Sequence, residues 1–264
     1  MDRVLVPVGE PCPFACTYCY TRGGEIRSAR IGVKDIIHQL VTFAQENNFQ
    51  TIQLGYDGDP FARPERGLAL LRELVALGKD INFSTKASLH DNELHALKEI
   101  KAALSSHGSI LSAIVSLSCW ESADFLEPNT PTPVERIATL TKLMSIEIPT
   151  FIAVRPILPN VSDEEYERVV SEGALARCPG FILGPLYVDD EGKFARLISD
   201  QILEQVPYTQ NKIPWSAYPV SWKRYEDVDR LIRIGKMVEH KGCRGFESSA
   251  TAMTFLRSKN GNAS

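Results

Sequence analysis

No apolar stretch in this 264-residue sequence approaches the roughly 20 residues that a membrane-spanning helix needs, so no membrane segment is expected. The opening residues, MDRVLVPVGEPC, lack a basic segment followed by a long apolar run, so no secretory signal is expected either. A disulfide framework is missing too: of six cysteines, Cys119, Cys178 and Cys243 stand singly, which suits a reducing, cytoplasmic setting. Internal repeats and low-complexity segments are absent. The net charge of −4 conceals an asymmetry. From residue 207 onward ten Lys/Arg face five Asp/Glu, giving +5 there and −9 in the remainder. A basic final third reads either as a solvated helical face or as a contact surface for nucleic acid or phosphate.

Against this background three cysteines do cluster. Cys12, Cys16 and Cys19 are spaced C-x3-C-x2-C within Cys-Pro-Phe-Ala-Cys-Thr-Tyr-Cys, and a short loop of that spacing can turn three thiolates toward one point. A structural zinc would want a fourth protein ligand. The next histidine is His38 and the next cysteine Cys119, so none is offered nearby. An iron–sulfur cube has four irons, and three cysteines leave one iron open to a substrate or cosubstrate.

The chain around this loop alternates strand and helix. Val4 to Val8 reads as a buried first strand, and Pro11 and Pro13 forbid regular structure in the cysteine loop. Strands are expected at Thr51–Leu54, Ile81–Thr85, Ile110–Leu117, Thr150–Val154 and Phe181–Leu183. Helices are expected at Val33–Glu46, at Pro64–Leu77, after an Asp91 N-cap, after Thr132-Pro133 and after a Ser162 cap. One-way alternation implies βαβ units, a parallel sheet and right-handed crossovers. The fold class is therefore α/β, a partial (β/α)6 TIM-type barrel over residues 1–188. Residues 189–264 read as a C-terminal helical and loop extension closing the barrel. Within it, Phe194 to Gln205 reads as a helix. Pro207, Pro214 and Pro219 punctuate an aromatic loop with Trp215, Tyr218 and Trp222. A long helix starts at Ser221 or Tyr225 and runs to about His240, and a final short helix follows Cys243. Chemistry in such folds sits at the carboxyl ends of the strands, where the cysteine loop falls.

The cysteine spacing, with the aromatic Tyr18 before the last cysteine, resembles the cluster loop of radical S-adenosylmethionine (SAM) enzymes. That family shares a six-unit partial barrel. The resemblance implies a [4Fe–4S] cluster on Cys12, Cys16 and Cys19, with SAM chelating the open iron through its amino and carboxylate groups. It further implies an external flavodoxin- or ferredoxin-like electron donor, and reductive cleavage of SAM to a 5′-deoxyadenosyl radical that abstracts hydrogen. Within the superfamily, residues 4 to 185 are similar to the spore photoproduct lyase-like group. The segments that carry this are Thr17-Tyr18-Cys19-Tyr20, Asp59-Pro60, Ser84-Thr85-Lys86, and Leu126-Glu127-Pro128 with Arg136 downstream. A lyase of that kind returns hydrogen from an additional cysteine, and none occurs between Cys19 and Cys119.

Read in that light, the strand ends offer a SAM site. Gly55-Tyr56-Asp57-Gly58-Asp59-Pro60 follows strand two where family members often carry Gly-Gly-Glu. The SAM ammonium is then left to Asp57, Asp59 or backbone carbonyls. The Gly23-Gly24-Glu25 triplet lies in the loop after Cys19 and is set aside. Ser84 and Lys86 suit the SAM carboxylate or ribose, and Ser116 and Ser118 share a face by strand alternation. Arg155 suits a carboxylate, of SAM or of a core acid, and the backbone at Ile157 and Leu158 would contact adenine. Cys119 and Cys243 are each candidates for a hydrogen donor or for a structural thiol. Tyr20, Tyr56, Trp120 and Tyr187 read as a substrate wall, a radical relay or plain packing. The substrate is either a nucleic acid or nucleotide, or a small molecule or peptide. A non-catalytic metal-binding protein built for partner recognition is the reading from another class.

Overall fold

The computed structural model describes residues 2–19, 30–189, 200–212 and 221–261. Seven strands form one wholly parallel sheet: β1 (Arg3–Val6), β2 (Thr51–Leu54), β3 (Asp80–Thr85), β4 (Leu111–Ser116), β5 (Thr150–Val154), β6 (Gly180–Leu183) and, at the far edge, β10 (Arg244–Phe246). The first six lie in chain order, as successive right-handed βαβ units place them. Register runs through Val4↔Ile52, Ile52↔Ile81, Ile81↔Leu111, Ile114↔Phe151 and Ile152↔Phe181.

Helices α1 (Val33–Glu46), α2 (Pro64–Val75), α3 (Asp91–Ser106), α5 (Pro133–Ser145) and α6 (Asp163–Leu175) connect these strands, with α4 (Ala123–Leu126) a single turn after β4. Their apolar stripes bury Leu70, Leu71 and Leu74 of α2, Leu97, Ile100 and Leu104 of α3, and Leu140 and Leu143 of α5 in one core with Ile52, Ile81 and Ile152 of the sheet. Local chemistry fixes the starts. Thr132 caps α5 in a reciprocal box with Glu135, Pro133 occupies the first turn, and the Ser162 hydroxyl accepts from the Glu165 N–H. The cap of α3 is His90, not Asp91, which sits one position inside and adds its charge to the first turn.

The second face of the sheet is lined by Ile114, Phe151, Ala153 and Ile182, and it packs on Ala252, Met253 and Leu256 of α9 (Ser249–Gly261). At its far end α9 is tied by Arg257, whose Nε lies 2.6 Å from Asp80 Oδ2 at the start of β3. The helix therefore runs down the inner face toward the amino ends of the strands, filling the concave side.

The C-terminal region departs from the sequence expectation in three places. Ser221–Tyr225, expected to open a helix, is strand β9, and α8 (Val228–His240) starts only at the Asp227 cap. β9 lies between β7 (Leu186–Asp189) and β8 (Tyr208–Lys212) in a small antiparallel sheet. Five residues that follow a proline-rich stretch of sequence are too few for a strand period to declare itself. β10 makes a seventh parallel strand from Arg-Gly-Phe, which has no apolar run to announce it. Of the helix expected over Phe194 to Gln205, α7 (Asp200–Leu203) is described. Residues 194–199, like Trp215, Tyr218, Pro214, Pro219, Tyr20 and the Gly23-Gly24-Glu25 triplet, lie outside the described residues.

Candidate active site

A cavity of about 280 Å³ opens at the carboxyl ends of the strands. The cysteine loop forms one wall and contributes Cys12, Phe14, Cys16, Tyr18 and Cys19. Gly55 to Asp59, Ser84 to Lys86, Ser116 and Arg155 follow from β2, β3, β4 and β5, and Tyr187 enters from β7. Sequence reasoning thus assembled most of one chamber from residues scattered between Cys12 and Tyr187, because parallel strands deliver their carboxyl ends to the same side.

The loop is clamped from three directions. The Val8 N–H donates to Asp57 Oδ1 at 2.8 Å. Arg66 of α2 donates to the Val8 carbonyl through Nε at 3.0 Å and Nη2 at 2.8 Å. The Thr17 N–H donates to the Leu126 carbonyl at 2.9 Å, at the end of α4. None of the three cysteines is in a disulfide. Among the described residues no three His, Cys, Asp or Glu side chains converge closely enough to hold one metal ion. A cube, in contrast, takes each cysteine on a different iron and so wants thiols standing apart around it. Burial pushes the Cys16 thiol up to about 12 and raises Cys12 as well. In such a setting thiolates are held by strong local positive charge, as bound iron supplies. The donor set therefore fits an iron–sulfur cluster.

The two carboxylates offered for the SAM ammonium are otherwise engaged. Asp57 is committed to the Val8 N–H. Asp59 Oδ1 accepts from the Phe61 N–H at 2.9 Å, the Ala62 N–H at 3.1 Å and the Thr85 hydroxyl at 2.8 Å, while Oδ2 accepts from the Lys86 N–H at 2.5 Å. Burial raises both pKa values, and these hydrogen bonds oppose it. Both aspartates thus tie β2 to its neighbours, which leaves backbone carbonyls as the third of the options. The loop in turn rests on α2 at Gly67, where an added Cβ would lie 2.4 Å from the Pro60 carbonyl oxygen. Gly67→Ala must displace that loop. It is expected to cost about 1–3 kcal/mol, readable as a lower denaturation midpoint.

Lys86 is also engaged. Its Nζ lies 2.8 Å from Glu127 Oε1 and 3.2 Å from the Tyr18 hydroxyl. Arg136 Nη1 lies 2.5 Å from Glu127 Oε2, and Tyr18 donates to Oε1. Glu127 and Arg136 are fully enclosed. Burial alone would raise the Glu127 pKa, but Lys86, Arg136 and the Tyr18 hydrogen bond outweigh it and hold the carboxyl at about 2. One carboxylate between two cations leaves a net positive charge behind the cysteine loop. Sequence reading noticed Glu127 and Arg136 only as marks of a resemblance. It also passed over Arg3, Gln53 and Ser249, which line the cavity.

Four expected site residues stand elsewhere. β4 ends at Ser116, so Ser118 loses the alternation that was to bring it alongside and is buried outside the cavity. Leu158 is enclosed, its N–H and carbonyl engaged by Tyr166 and Arg230, so its backbone does not face the chamber. Cys119 is wholly buried behind the strand end, where burial raises its pKa. Cys243 precedes β10 and so lies at the amino ends of the strands, its Sγ 3.6 Å from the Cys178 carbonyl oxygen. Neither cysteine lines the cavity. Of the aromatic residues, Tyr56 and Tyr187 line it, whereas Trp120 sits under the Arg168 guanidinium, 4.8 Å from the ring centre.

Comparison with known proteins accords with this geometry. The family described as the radical SAM superfamily matches residues 6–172. Uncharacterized proteins of Mycobacterium tuberculosis and Mycobacterium bovis are 24% identical over 197 residues, which is 67% of this chain and 56% of theirs. The chain thus spans little more than half the length of these relatives. Among solved structures, a spore photoproduct lyase variant aligns with a TM-score of 0.68 at 15% identity, covering 91% of this chain and 75% of the other. A spore photoproduct lyase variant with bound AdoMet and dinucleoside spore photoproduct gives 0.66 at 14% identity over 91% and 75%. SuiB of Streptococcus suis bound to S-adenosylmethionine gives 0.54 at 17% identity, over 69% of this chain and 40% of that one. At these identities the structural likeness speaks for the fold. No helix among the described residues is long and apolar enough to cross a membrane.

Proposed function

Because the chain belongs to the radical SAM superfamily, an enzyme family that uses SAM and an iron–sulfur cluster, we propose that the cavity is a SAM chamber served by a [4Fe–4S] cluster on Cys12, Cys16 and Cys19. The observation that carries this reading is the wall of three cysteines, none in a disulfide, that shares one cavity with the strand ends. When bound, the cluster and SAM supply a 5′-deoxyadenosyl radical on receipt of one electron from a flavodoxin- or ferredoxin-like donor.

The chain's own residues do the rest. Asp57 and Arg66 fix the cysteine loop through the Val8 backbone, so the thiols are held in place before any metal arrives. Lys86 favours negative charge at Cys16, while Glu127, which anchors Lys86 there, opposes it. Backbone carbonyls of the Gly55–Asp59 loop accept from the SAM ammonium. Gln53 presents at the chamber wall a buried amide oxygen with no donor among the described residues, and with Ser84 and Ser116 it offers polar contacts to the SAM ribose or the substrate. Tyr56, Tyr187 and Leu186 flank the chamber and help to exclude water from it.

Anaerobic reconstitution followed by metal and spectroscopic analysis tests the proposal. The expected result is about four irons and four sulfides per chain, with an electron paramagnetic resonance (EPR) signal of the reduced protein that shifts on addition of SAM. Zinc near one equivalent without sulfide, or a signal indifferent to SAM, contradicts it.

A further inference from the structure

We propose that Arg3, Arg155 and the Ser249 end of α9 form a subsite for a phosphoryl group of the substrate. This deepens the SAM-chamber reading and rests on it.

The two arginines reach the cavity from opposite sides of the sheet. Arg3, at the start of edge strand β1, donates from Nη1 to the Ser249 hydroxyl. Arg155 leaves the carboxyl end of β5, and its side chain lies along Gly184. A Cβ at 184 would stand 2.8 Å from Arg155 Cδ, so the missing side chain makes room for the guanidinium. Arg155 Nη1 then donates to the Glu247 carbonyl at 3.1 Å, two residues before α9 begins. Both arginines and Ser249 line the one cavity.

Neither arginine forms an ion pair with a described residue. The carboxylates lining the cavity, Asp57 and Asp59, stand at the cysteine end with their oxygens turned to the groups already named. Two guanidinium groups therefore share a half-enclosed space in which no carboxylate of a described residue pairs with either one, Asp2 acting on Arg3 only as a neighbouring charge. Burial and the neighbouring charge of Arg155 push the Arg3 pKa down, and Asp2 offsets them only in part. The amino end of α9, thirteen residues long, adds its partial positive charge.

A SAM carboxylate chelating iron must sit beside the cysteines. Lys86 stands at the cysteine loop on Tyr18 and Glu127, whereas the two arginines are hydrogen-bonded to Ser249 and the Glu247 carbonyl at the start of α9. The arginine end is thus left to the substrate. Two planar forks and a hydroxyl suit the three terminal oxygens of a phosphate better than the two of a carboxylate.

The test is calorimetric titration of the reconstituted, SAM-saturated enzyme with inorganic phosphate and, separately, with acetate. Saturable phosphate binding, weakened at least tenfold in Arg3→Gln and Arg155→Gln while the SAM Kd stays within twofold, is the expected result. Ser249→Asp supplies Arg3 with an internal carboxylate. It is expected to abolish phosphate binding without a loss of SAM affinity, which keeps the test open should an arginine variant misfold. Absence of phosphate binding in the wild type, acetate binding as tight as phosphate, or a tenfold loss of SAM affinity in both arginine variants would each overturn the subsite. If SAM fails to shift the EPR signal of the wild-type cluster, the chamber reading itself fails. A normal shift with no phosphate binding removes only the subsite.

Discussion

Replacing Glu127 by alanine is expected to destabilise the protein by about 3–5 kcal/mol, because it strands two buried cations without their shared anion. For a chain of this size that corresponds to a fall in Tm on the order of 10 °C. The result is readable by calorimetry on the reconstituted protein at neutral pH. Glu127→Gln keeps the shape and one acceptor, so it should fall between wild type and alanine. The pH dependence follows from the same pairings. With its folded pKa near 2 against an ordinary 4.5, Glu127 contributes stability that is present above 4.5 and is lost as pH falls through that value toward 2. In cluster-free protein, wild type should therefore lose stability over that window more steeply than Glu127→Gln. Equal acid limbs, or a Tm change within 2 °C for Glu127→Ala, would show that the carboxylate does not organise this region.

The same cluster marks what the sequence could and could not disclose. The cysteine loop was legible because its chemistry is local: three thiols within eight residues define a site before any folding is considered. The six-strand frame was legible because apolar runs and helical stripes alternate along the chain, and because parallel topology then decides which strand ends meet. Lys86 lies far from Glu127 and Arg136 in sequence, and nothing in the spacing of the three says that one carboxylate serves two cations behind Cys16. Asp57 and Asp59 invited a ligand role by position alone. Their hydrogen bonds to Val8 and Lys86 depend on how the loops fold against each other. A final helix after Cys243 was expected, but the place of α9 against the sheet and the part played by Arg3 were hidden for a further reason. A helix lying in the concave face of a sheet, with a polar cavity at one end, shows no simple stripe, and an arginine opening a strand looks like any exposed charge. The choice between hydrogen donor and structural thiol at Cys243 stayed open because β10 was unseen: without that strand, nothing assigned the residue to the amino ends of the sheet.

The measurement that tests the central claim most directly is 5′-deoxyadenosine formation by the anaerobically reconstituted protein, supplied with SAM and a strong reductant. Wild type should release 5′-deoxyadenosine and methionine in equal amounts. Cys16→Ala, which removes a thiol but leaves the Val8, Thr17 and Arg66 clamps on the loop in place, should lower the rate at least a thousandfold while retaining the fold, judged by an unchanged far-ultraviolet circular dichroism spectrum. Undiminished 5′-deoxyadenosine formation in the variant, or a wild-type chain that assembles no cluster, would contradict the assignment of the cysteine loop as the seat of the chemistry.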